Sequence, residues 1–98
     1  MKQKYKVGDK VALRRSQPLW NGCEMPAGTV LEIIDRQKSQ LPPYCEILKL
    51  IRVYEDGSWG DVTDSDNLRW FSVNEANKHT RPLPVDEPVY LEKDDEDE

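Results

Sequence analysis

The stretch Tyr44-Cys45-Glu46-Ile47-Leu48-Lys49-Leu50-Ile51-Arg52-Val53-Tyr54 constrains the fold more than any other part of the chain. By two-residue spacing, Cys45, Ile47, Ile51 and Val53 share one face, with Lys49 the exception. Tyr44, Leu48, Leu50 and Tyr54 share the other. Ile47, Leu50, Ile51 and Tyr54 also fit a period near 3.6, so a buried helix is the rival reading. The β-branched content and the Asp56-Gly57 that follows decide for a strand. A chain of 98 residues holds one core. A strand apolar on both sides then points to a long, bent strand shared between two halves of a small barrel.

The flanking sequence fits the same plan. Residues 4–15 read as a first strand broken at Gly8-Asp9, with Val11 and Leu13 alternating with Lys10, Ala12 and Arg14. Pro18, Gly22, Pro26 and Gly28 make residues 16–28 a long first loop. Thr29-Val30-Leu31-Glu32-Ile33-Ile34 is a β-branched second strand, and residues 35–43 are a polar connection ending in Pro42-Pro43. Asp56-Gly57 supplies the positive φ angles of a tight hairpin, with Trp59-Gly60-Asp61-Val62-Thr63 as the return strand. Asp64-Ser65-Asp66-Asn67 is a turn, and residues 68–73 form a further strand. One short helical turn is expected near residues 74–80, capped by Asn74. The expected fold is all-β: five short strands curled into a small closed barrel.

Charge divides the chain unevenly. Residues 85–98 carry a net −7, which leaves residues 1–84 at +2. We expect a barrel domain over residues 1–84 and an acidic, disordered tail over residues 85–98. Val89-Tyr90-Leu91 within that tail either completes the barrel or adds a strand to a partner. The start, Met1 to Lys10, carries no apolar run of the secretory kind and no stretch reaches membrane-spanning length. A cytoplasmic location is the expectation, and the thiols Cys23 and Cys45 are then expected to stay reduced.

The order of these elements resembles the Src-homology-3-like barrel superfamily, particularly its Tudor-type and KOW-type members. The likeness rests on Tyr5-Lys6-Val7-Gly8-Asp9-Lys10-Val11, on Pro26-Ala27-Gly28-Thr29-Val30, and on Val53-Tyr54-Glu55-Asp56-Gly57 with Val62 and Asp64-Ser65-Asp66-Asn67-Leu68. It covers most of residues 4–71 and implies a small five-stranded barrel; no single family follows from it, and fold likeness does not transmit function.

Catalytic motifs are lacking: no P-loop, no G-x-S-x-G elbow, no H-E-x-x-H and no glycine fingerprint. Cys23, Cys45 and the lone His79 lack the paired spacing of a zinc site, so neither metal nor cofactor is expected. The aromatic side chains Trp20, Tyr44, Tyr54, Trp59 and Trp70 fall at strand ends or in loops, where they can form a face that stacks on a peptide, a base or a cation. The competing reading makes Trp59, Trp70 and Phe71 core residues. Lys4, Lys6, Lys10, Arg14 and Arg15 form a basic run able to contact phosphates, which the acidic tail opposes. The sequence therefore favours a non-enzymatic protein- or peptide-binding module acting through its aromatic loop face. The alternative is a nucleic-acid-associated or nucleic-acid-mimicking acidic protein of phage type that binds a basic protein surface.

Overall fold

The computed structural model describes residues 5–19, 22–42, 45–83 and 88–90. Lys4, Trp20, Tyr44, Leu91 and residues 92–98 lie outside them. The chain is mostly β, with strands β1 (Lys10–Leu13), β2 (Gln17–Pro18), β3 (Glu24–Met25), β4 (Val30–Lys38), β5 (Glu46–Arg52), β6 (Leu68–Ser72) and β7 (Thr80–Pro82). One helix, α1 (Val73–His79), stands between β6 and β7. Five strands form a curled antiparallel half-barrel in the order β6-β5-β4-β1-β7. The expected closed barrel is corrected on one point: β6 and β7 end the sheet unpaired with each other. Helix α1 packs against β5, β6 and β7 across that opening.

The set of strands also differs from expectation. Residues 59–63 do not form a return strand, because Trp59 makes a single bridge to Val53 and the chain then turns away. Asp61 stops it by accepting hydrogen bonds from the Thr63 backbone N–H and hydroxyl at 2.9 and 2.7 Å. The fifth strand is β7, which pairs with β1 through Val11–Pro82, Ala12–Arg81 and Leu13–Thr80. The hairpin after β5 needs one positive φ, at Gly57 (88°), rather than two. Gly57 N–H donates to Tyr54 O at 2.8 Å, and Tyr54 N–H to Ser58 O at 2.9 Å. A turn followed by a left-handed glycine is the three-residue alternative to the two-residue loop.

β4 is the strand the two halves share. Its start pairs with β1 and nearly its full length pairs with β5, with a bulge between Ile33 and Asp35. It extends to Lys38, through residues expected to form a loop, by continuing the ladder with β5 to Glu46, and Arg36 and Glu46 form an ion pair across it. The long first loop contains the small β2–β3 hairpin, closed by Leu19 N–H to Cys23 O at 2.8 Å.

The inner face holds the main core: Tyr5, Val11, Leu13, Met25, Leu31, Ile33, Leu48, Leu50, Phe71 and Ala76. Each fully buried side chain of this size contributes about 1.5–3 kcal/mol relative to exposure. Val30, Ile51, Val53 and Leu68 are buried outside that cluster, and alternation puts Ile51 and Leu68 on the outer face. β5 is thus apolar on both sides because Leu48 and Leu50 are buried on the inner face and Ile51 on the outer one, where Ile47 and Lys49 are half-buried. Helix α1 is capped by Ser72, not Asn74: Ser72 Oγ accepts Glu75 N–H at 3.1 Å while Glu75 Oε1 accepts Ser72 N–H at 2.9 Å. Val89 lies against its own sheet, and Leu91 is outside the described residues. Val89 bridges Thr29 in parallel, donating to Gly28 O at 2.6 Å and accepting Val30 N–H at 3.2 Å.

Candidate functional site

The outer face of β4–β6 places its side chains by alternation. Register sets Lys49 opposite Trp70 on β6, and Glu32 opposite Ile51 and beside Lys10. Trp59, bridged to Val53, reaches the same face and donates its indole N–H to Glu32 Oε1 at 3.1 Å. Glu32 Oε1 also lies 3.8 Å from Lys10 Nζ. Lys49 Nζ stands 5.9 Å from the Trp70 ring centroid, a cation–π contact of about 0.5–1 kcal/mol at an exposed site. Trp59 and Trp70 are 48% and 49% exposed, so neither is a core residue. Phe71, which points inward, takes that role at 7% exposure.

Of the five aromatic candidates, the structure brings Trp59 and Trp70 to one face. Tyr54 sits apart in the hairpin, half-buried, with Arg52 Cζ 5.2 Å from its ring and Arg52 Nη2 donating to its hydroxyl at 3.1 Å. Trp20 and Tyr44 are outside the described residues.

Within the basic run, Lys6, Lys10, Arg14 and Arg15 are exposed. Lys10 is held by Glu32, and Arg14 donates its Nε to Thr80 O at 2.8 Å and its backbone N–H to His79 O at 2.7 Å. His79 ends α1 with its ring 5.5 Å from that of Phe71. Cys23 and Cys45 are unbridged, Cys23 exposed and Cys45 half-buried. Among the described residues, no three His, Cys, Asp or Glu are grouped to hold a metal ion, and no helix is long and apolar enough to cross a membrane.

Two arginines add what the aromatic reading overlooked. Arg69 pairs with Leu50 and faces inward at the end of the core, giving Nη1 to Leu68 O at 2.7 Å and Nη2 to Pro18 O at 3.1 Å. Burial lowers the Arg69 guanidinium below the usual arginine range, and Asp66 partly opposes this. Among the described residues, Arg69 Nε and Arg52 Nε are both buried without a hydrogen-bond partner. Gln17, Pro18, Leu19, Arg69 and Trp70 line a groove of about 440 Å³ between the β2–β3 hairpin and β6. Besides the aromatic residues, the sequence carried a further signal for this face: Lys49, the lone charge interrupting an otherwise apolar row of β5. Arg69 gave none, since a charge between Leu68 and Trp70 reads as an ordinary solvent-facing strand position.

No family model, curated protein or solved structure matches the chain.

Proposed function

We propose that this chain is a non-enzymatic module of Src-homology-3-like build that binds a protein or peptide through the exposed aromatic face of β5 and β6. One observation carries the reading: two tryptophans, each about half exposed, share one sheet face with a lysine set against one ring and a glutamate against the other. Tryptophan is the side chain with most to gain from being covered by a partner, and it is enriched among residues that dominate binding energy. The antiparallel order, with the first strand flanked by β4 and β7, supports the barrel likeness. We place the module in the cytoplasm.

Capture from a cell lysate tests this. Intact protein and a Trp59→Ala/Trp70→Ala variant, matched by circular dichroism, are used as bait. Proteins retained by the first and lost from the second support the reading. Equal retention contradicts it, and recovery abolished by nuclease would transfer the role to nucleic acid.

A further inference from the structure

Resting on that reading and going one step further, we infer that the groove between β6 and the β2–β3 hairpin binds an extended peptide carrying a carboxylate side chain, which adds to the β6 edge.

β6 ends the sheet, so one side of it faces away from β5. Leu68 N–H turns out to Ser65 O and Ser72 N–H turns out to Glu75 Oε1. Two-residue alternation therefore directs the backbone N–H and C=O of Trp70, midway between them, out of the sheet as well. An extended chain laid along this edge gains main-chain hydrogen bonds at Trp70, while pockets for alternate side chains set its preference. The groove supplies those pockets. Trp70 and Pro18 wall it, Leu19 lines it, and Arg69 lies alongside on the inner side of the strand.

Arg69 sets the chemistry of the occupant. Its Nη1 and Nη2 donate to carbonyl oxygens, which are neutral acceptors, while its Nε is buried, so the Nη groups are what an incoming anion meets. Among the described residues Arg69 takes part in no direct ion pair, and Asp66 offsets only part of the cost of its burial. A half-buried guanidinium held this way favours an incoming anion, because a charge-assisted bond in a partly desolvated groove is stronger than one to a carbonyl. A carboxylate set between apolar residues in an extended peptide answers the cation, the apolar walls and the open edge together.

The test is a titration of the intact, nitrogen-15-labelled protein with three pentapeptides: Ac-Thr-Val-Glu-Val-Thr-NH2 and its Glu→Gln and Glu→Lys analogues. The inference predicts amide shifts concentrated at Leu19, Arg69 and Trp70, and slowed exchange of the Trp70 amide. The glutamate peptide should bind with a Kd on the order of 0.1–1 mM and about tenfold tighter than the glutamine peptide. The lysine peptide should be weakest. Arg69→Gln should equalise the glutamate and glutamine peptides; if that variant does not fold, the comparison on the wild-type protein decides alone. Equal binding of all three overturns carboxylate selection and leaves the peptide-binding module standing. Silence at the groove from every peptide, while tryptophan-dependent capture persists, overturns the groove and not the module. Shifts produced only by a peptide of residues 85–98 would assign the groove to the chain's own acidic end and equally overturn the inference.

Discussion

Single residues fix the course of the chain where the strand pattern gives out. Gly60 lies so close to Asn67 that an added Cβ would sit 2.7 Å from Asn67 Cγ and 2.9 Å from Nδ2. Asn67 cannot easily yield, since it is buried and its Nδ2 donates to Asp61 O at 2.9 Å. Gly60→Ala should therefore cost about 1–3 kcal/mol in urea unfolding, the usual range for overpacking; an unchanged midpoint would contradict the contact. Asp61 is the neighbouring control point. The Thr63 hydroxyl and backbone N–H hold its carboxyl below the ordinary aspartate value. A depressed native pKa gives stability that is present above the unfolded pKa of about 3.9 and is lost as pH falls through the native value. Carboxyl carbon-13 titration should give Asp61 a midpoint below that figure, and Thr63→Val should raise it. A wild-type midpoint at or above the ordinary value would refute the assignment.

At the level of elements, what was legible in the sequence was whatever buries apolar area. β5 was readable because Leu48 and Leu50 face the core while Ile51 is buried on the outer face. The far end of β4 was not, because Arg36, Gln37 and Lys38 bury little and are held by register and charge. β7 was equally hidden: three residues, two of them exposed, paired because β1 offers a free side. Helix α1 was legible in place and short length but not in its cap. Asn74 has the right chemistry, yet Ser72 has a glutamate three positions on, and the reciprocal bonds go there. Ser72→Ala should lower stability by about 1 kcal/mol. Glu75→Ala should have a smaller effect in the same direction. Thermal and urea unfolding of the two variants checks the order, and a neutral Ser72→Ala would show that packing alone places the helix.

The whole molecule explains why the candidate site was only half legible. Aromatic residues at strand ends announce themselves, but their side of the sheet depends on what covers each face. Here the inner face is filled by Phe71, Leu50 and their neighbours, which leaves Trp70 outward beside Lys49. Trp59 is carried to the same face by a single bridge rather than by a strand. The groove beside them could not be read at all, since it needs Pro18 and Arg69 to meet across 51 positions of sequence. Its free edge exists because the half-barrel stops at β6. The most direct test replaces single residues in cells with the photo-crosslinking analogue benzoylphenylalanine. Positions 59 and 70 are compared with positions 41 and 62, where Leu41 and Val62 are also exposed apolar side chains. The account predicts discrete protein adducts from positions 59 and 70 and none from 41 and 62. Adducts from all four alike, or from the control positions alone, would contradict it.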